Sequence, residues 1–339
     1  MGNHTMPIRL RSLIVAGLIG VARLSAPGAE PDLAAVRARF HPDDHPVRME
    51  YDVTYRFLKI EMRHLGKVVL LTTTGTFEHR ITGQFVPAAL IEVRLDTPDR
   101  LKSPQRDRIS IHDWILAVVS LPELYALTFG KETDEYMNPI VGHTRIDHTV
   151  SCYDTQSGRL EYARRDIPTG VISTNLSDPE AMMKLSRHVR PLIEFLMKRY
   201  RGQATAPDEG RLSVNADGEV VPLVIQTRIE QSPPFFQHQH MECLEVQTLP
   251  EKATRASLRR FEGWAIPFRD LTDRYGSDGV RAAARGAMVE SVVPLAVQYD
   301  LLLGSIRATL TTLGVGDASD PPDESATRDT APATNRSSD

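Results

Sequence analysis

Two imidazoles, a carboxylate and a thiol, all metal-ligating residue types, crowd into Phe235-Phe-Gln-His-Gln-His-Met-Glu-Cys243. In an extended backbone His238, His240 and Glu242 point to one face, where two imidazoles and a carboxylate could meet a zinc ion. Cys243 then points to the opposite face, so a zinc site would need further ligands from elsewhere. The competing reading is a polar strand face whose histidines touch only solvent. His143-Thr-Arg-Ile-Asp147-His148 is a second candidate. On a strand His143 and Asp147 share a face while His148 turns away, which separates the apparent triplet and leaves a salt bridge as the simpler role. His41-Pro-Asp-Asp-His45 could chelate from a loop. Arg255, Arg259 and Arg260 beside Phe261 and Trp264 could face an anionic lipid or glycan, or merely cover apolar surface with long basic side chains.

Catalytic signatures that can be read directly are missing. The sequence has no Gly-x-Ser-x-Gly elbow, no His-Glu-x-x-His pair, no P-loop and no Gly-x-Gly-x-x-Gly turn. The easily recognised hydrolase, zincin and nucleotide-binding readings are thereby removed, an enzyme with dispersed carboxylates is not, and no catalytic residue is assigned. Cys152 and Cys243 are the only cysteines. They form either one disulfide, closing a long loop that restrains the unfolded chain, or two separate buried thiols; their strand-like segments and an oxidising compartment predict that they meet across neighbouring strands.

The elements that would position these residues are mostly strands. Val47, Met49, Tyr51, Val53, Tyr55 and Phe57 alternate with Arg48, Glu50, Asp52, Thr54 and Arg56, the period of a half-buried strand. A β-branched run from Lys67 to His79, the Thr82-Gly83 turn signal and Phe85 to Leu95 continue the pattern as a meander. The stretch Ile111 to Phe129 fits a helix or a strand followed by a turn. Tyr136 to Tyr153 and Leu160 to Ser173 read as strands joined by a hairpin turn at Gln156-Ser-Gly158. Asp178 to Arg201 predicts one long helix: Asp178 caps it, Pro179 suits its first turn, and Met182, Leu185, Val189, Leu192, Ile193, Leu196 and Tyr200 form its apolar stripe. A bend is expected at Pro191. Val-Val-Pro-Leu occurs before Val224 and again before Ala296, and both prolines should start strands or lie at edges.

Met6 to Ala29 has the layout of a secretory signal: Arg9 and Arg11 precede Leu13 to Ala22, an apolar run about half as long as a membrane span. Cleavage could follow Ala22 or Ala29, and a buried N-terminal helix is the competing reading. Neither cysteine lies where a lipid anchor would attach. The chain therefore divides into a signal peptide, 1–29, an N-terminal linker, 30–46, one β-rich domain, 47–313, and a disordered acidic tail, 314–339. Hydrophobic content of 41% and charged content of 25% are ordinary for a globular body. The net charge of −4, made three charges more negative by loss of Arg9, Arg11 and Arg23, argues against a nucleic-acid partner. No later run is long and apolar enough to anchor in a bilayer.

Ser291-Val-Val-Pro-Leu-Ala-Val-Gln-Tyr-Asp-Leu-Leu-Leu-Gly-Ser-Ile-Arg-Ala-Thr-Leu310 resembles the closing hairpin of exported bacterial proteins in the domain of unknown function 3108 family, and Glu50-Tyr-Asp-Val-Thr-Tyr resembles their opening strand. That resemblance implies a β-rich fold over roughly Val47 to Leu313 and implies no activity. With the strand pattern it predicts a curved antiparallel sheet or broken β-barrel braced by one long helix, in a periplasmic or secreted protein. Such a sheet offers a concave side, and the expected function is non-enzymatic binding or carriage of an amphipathic, lipid-like ligand. The alternatives are a metal-dependent hydrolase using His238 and His240, and a structural or assembly protein of the envelope that uses its tail for contacts.

Overall fold

The computed structural model describes residues 32–57, 60–96, 109–121, 123–137, 143–176, 178–203, 210–216, 219–236, 238–250, 261–286, 291–300 and 305–316. The signal segment, the tail beyond 316 and Arg255, Arg259 and Arg260 lie outside the described residues. After α1 (Leu33–Ala38) and β1 (Phe40–Pro42), an antiparallel meander runs through β2 (Val47–Phe57), β3 (Ile60–Glu78), β4 (Phe85–Asp96), β5 (Ile109–Ser120), β6 (Ala126–Met137), β7 (His143–Asp154), β8 (Arg159–Asp166) and β9 (Ile172–Ser173). Two helices follow, α2 (Pro179–Ser186) and α3 (Val189–Tyr200), then β10 (Gly210–Ala216), β11 (Glu219–Gln231), β12 (Glu242–Pro250) and β13 (Phe261–Pro267). Helices α4 (Phe268–Tyr275) and α5 (Asp278–Gly286) precede the closing hairpin β14 (Val292–Asp300) and β15 (Ser305–Val315). β15 pairs with β2, so the second meander joins the first in one sheet ordered β10-β11-β12-β13-β14-β15-β2-β3-β4-β5-β6-β7-β8-β9. Among the described residues its two ends do not pair, and the barrel stays open.

Turn chemistry explains the meander's corners. Gly83 and Gly158 adopt positive φ, which glycine tolerates without a Cβ clash. Asp154 caps the β7–β8 turn by accepting hydrogen bonds from the Gln156 and Ser157 amides. The undecided stretch after Ile111 resolves as two strands and a turn, not a helix. Pro222 lies where β11 pairs only with β10, because β12 pairing begins at Leu223. Pro294 sits at a bulge, where Trp264 faces Ala296 and Ala265 faces Pro294. Both positions spare a ladder donor.

The predicted single brace is two helices. Pro191 has no amide proton to give the Arg187 carbonyl four residues earlier, and its ring crowds that carbonyl. The break therefore falls upstream of the proline: Arg187 and His188 bond back three residues, to Lys184 and Leu185, and α3 restarts after His188. Met182 and Leu185 of α2 pack with Tyr153 of β7 and Leu160 of β8, yet α2 also touches β10 at the other end of the sheet. An eight-residue helix is about 12 Å long, whereas twelve strand steps on a flat sheet span more than about 50 Å. The sheet must curl around α2, and the face carrying α2 is concave.

On this concave face Val47, Met49, Tyr51 and Val53 of β2 meet Leu295 and Leu310, with Phe268, Leu271, Val280 and Ala284 of α4 and α5 packed over them. On the other face Leu33 and Val36 of α1 and Phe40 of β1 cover Phe77, Leu90, Leu116, Val118 and Leu127. Residues 32–46, expected as a linker, are thus part of the packed body. Two glycines make room: a Cβ on Gly75 would lie 2.1 Å from the His41 carbonyl oxygen, and one on Gly130 would lie 2.8 Å from Leu33 Cδ1. At the other terminus β15 runs to Val315 and the Gly316 amide donates to Pro46, so 314–316 belong to the sheet and not to the tail. Among the described residues no helix is long and apolar enough to cross a membrane.

Candidate functional site: a mixed-charge inlay in the concave face

Polar side chains interrupt the concave face where β5 to β8 run side by side. Strand alternation sends Asp113 inward with Ile115, Ala117 and Val119, and antiparallel register then dictates its neighbours. Asp113 faces Thr133, Thr133 faces Asp147 and Asp147 faces Asp166. Two residues along each strand, Ile115 faces Lys131, Lys131 faces Thr149 and Thr149 faces Arg164. The result is an acidic row beside a basic row. Asp113 and Lys131 are each 6% exposed, Asp147 2% and Thr133 1%, so the centre of the inlay is withdrawn from water although three of these four residues carry charge.

An ion pair bridges the rows: Arg164 Nη2 lies 2.9 Å from Asp147 Oδ2, and the arginine side chain is 37% exposed. It marks the inlay's solvent side. Burying charges costs free energy even when they are paired, so a cluster of this kind is a weak device for stability alone and a natural candidate for function. Beside it, on the β4 side, lie Ile91, Leu95 and Ile115, with Phe129 one row further in; all four are only half-buried. Leu95 directly faces Asp113, and Ile115 faces Lys131, so apolar wall passes into charged inlay within one strand spacing. The chemistry available is binding: charges of both signs, hydroxyls of Thr133, Thr149 and Ser151, and an adjoining apolar strip.

The segment around His238 takes another shape. Its backbone is not extended: Phe235 and Gln239 exchange backbone hydrogen bonds and His238 has a φ of 71°, so the shared face expected of His238, His240 and Glu242 does not form. His240 Nδ1 instead lies 2.7 Å from the Ser232 carbonyl oxygen, and all three side chains are exposed. Among the described residues no group of three or more His, Cys, Asp or Glu side chains is arranged to hold a metal ion. What orders this tip is apolar: Phe235, Phe236 and Tyr275 of α4 form a three-ring cluster.

Cys152 and Cys243 are both free and buried, and no disulfide joins them. Cys152 belongs to the cluster under α1, where Thr128 Oγ1 approaches its sulfur, while Cys243 belongs to the concave cluster and donates to the Glu230 carbonyl. Opposite faces of the sheet, nine positions apart in strand order, hold the two sulfurs. Burial raises both thiol pKa values, that of Cys243 to about 12. Of the His143 segment, Asp147 pairs with Arg164 in the inlay, and His148 faces Glu132 at 3.7 Å on the other side. His41 and His45 are exposed. Trp264 stacks under the Arg307 guanidinium.

Asp113, Lys131, Thr133 and Arg164 carry no motif. Their signal in the sequence is a charge at the inward-facing parity of an otherwise apolar strand, which is readable only once the inward face is known.

No family model matches the chain, and no curated protein matches it. Among solved structures it is similar to the crystal structure of a beta-barrel-like protein of domain of unknown function DUF1849 from Brucella abortus. The two are 10% identical, with a TM-score of 0.43, over 82% of this chain and 100% of that one.

Proposed function

We propose that this chain is a non-enzymatic binding or carrier protein of the bacterial envelope, which takes an amphipathic, lipid-like ligand against its concave face. The observation that carries the reading is the half-buried apolar strip of Ile91, Leu95, Ile115 and Phe129 set directly against the Asp113, Lys131, Thr133, Asp147 and Arg164 inlay. An apolar wall with a few convergent polar groups is the usual make-up of a small-molecule site. An open sheet with α2 in its seam supplies a wall that can admit a chain-like molecule. The envelope location rests on the leader-like Met6 to Ala29 and on the resemblance to exported proteins of the domain of unknown function 3108 family.

Native mass spectrometry on protein purified from its own envelope is the test. A reproducible adduct of lipid-like mass, lost on delipidation and regained in a saturable titration with a single-chain amphipath, is the expected result. Protein that is ligand-free in every preparation and shows no saturable binding overturns the reading.

A further inference from the structure

We infer that the inlay selects a zwitterionic head group, one that joins a positive and a negative centre a few atoms apart, over a purely anionic or purely cationic head. This deepens the binding reading above and rests on it. The order of the charges points to such a head. Asp113, Thr133, Asp147 and Asp166 form one row across β5 to β8, and Lys131, Thr149 and Arg164 form the next. Rows two residues apart on a strand are separated by roughly 7 Å. A dipolar head laid along the strand direction puts its cation on the acidic row and its anion on the basic row. An anionic head placed there gains Lys131 and Arg164 but meets the carboxylates beside them, and a cationic head meets the reverse. In a site this far from water, such like-charge contacts are weakly screened and discriminate strongly.

Thr133 adds an independent sign of a ligand. It stands in the middle of the acidic row, it is 1% exposed, and its Oγ1 has no hydrogen-bond partner among the described residues. A buried hydroxyl is ordinarily satisfied, so an unpartnered one aimed into a polar patch points to a group supplied from outside. The tail of the ligand then runs from the Asp113–Lys131 end over Ile115 and Leu95, which face those two residues.

The experiment compares three amphipaths with the same dodecyl tail on the full chain, each below its micelle-forming concentration: dodecylphosphocholine, dodecyl phosphate and dodecyltrimethylammonium. Calorimetry should give dodecylphosphocholine at least roughly a tenfold advantage over either of the others. Thr133→Val keeps the side-chain shape and should weaken dodecylphosphocholine binding by about 5- to 10-fold. Asp113→Asn should move the preference toward dodecyl phosphate, and Lys131→Gln toward dodecyltrimethylammonium. Equal affinity for all three heads, or tightest binding of a singly charged one, overturns the head-group assignment while leaving the binding reading intact. Failure of all three to bind overturns the binding reading itself. Because the head comparison uses the unaltered protein, and Thr133→Val is nearly isosteric, the outcome does not depend on the charge variants folding.

Discussion

At the scale of single residues, the two cysteines and His188 behave as their surroundings dictate. Each thiol is buried with a raised pKa, so neither ionises readily and neither can reach the other. A thiol-reactive chromogenic disulfide should therefore titrate two thiols per chain after denaturation and react only slowly with the native protein, whether it is isolated under oxidising or reducing conditions. Recovery of a Cys152–Cys243 cross-linked peptide would contradict the structure. His188, between α2 and α3, has its pKa lowered below the ordinary 6.5 by burial, which disfavours the imidazolium. The unfolded chain then takes up a proton before the folded one does. Stability is fully present above about pH 6.5 and declines as pH falls toward and through the lower folded value. His188→Gln should flatten urea midpoints between about pH 7.5 and 5, and an unchanged slope would rule out His188 as its source. Asp166, held below its usual range by hydrogen bonds from Thr169, titrates in a more acidic window and does not confuse the measurement.

At the scale of elements, the N-terminal segment and the helix pair show how neighbours decide what local sequence leaves open. The α1–β1 segment lies close enough to β3 that Gly75 meets backbone where a side chain would be. Gly75→Ala should therefore lift β1, at a cost of about 1 to 3 kcal/mol, and expose the 39–46 stretch to protease while the rest of the sheet stays resistant. Equal resistance of variant and parent would show that β1 does not dock there. The helix residues from Asp178 to Arg201 were legible as helical, down to the Asp178 cap whose carboxylate accepts from the Ala181 amide. The site of the break was not. Proline disturbs the carbonyl one turn before itself, so the interruption appears at Arg187 and His188 instead of at Pro191.

At the scale of the whole molecule, one continuous sheet ties the two meanders together, and the three apolar clusters meet on shared strands. Leu90 of β4 faces α1, Ala89 faces α2, and Val93 belongs to the large concave core. Unfolding should thus be a single event. The two tryptophans report from well-separated strands, Trp114 on β5 and Trp264 on β13. Trp114→Phe and Trp264→Phe variants should each give a fluorescence transition that coincides with the loss of β circular dichroism. Separate midpoints for the two reporters in one denaturant series would mean that the meanders unfold independently. The sequence by itself determined the strand alternation, the Gly83 and Gly158 turns and the helix cap, because these depend on side-chain period and on backbone freedom within a few residues. It also carried the charges of the inlay, but not their meaning. Curling of the sheet around α2, the separation of the two cysteines on opposite faces and the assembly of Asp113, Lys131, Thr133, Asp147 and Arg164 into opposed rows depend on register between strands that are distant in the chain. Tertiary structure alone decides those, because a shift of one residue in register turns every inward side chain outward.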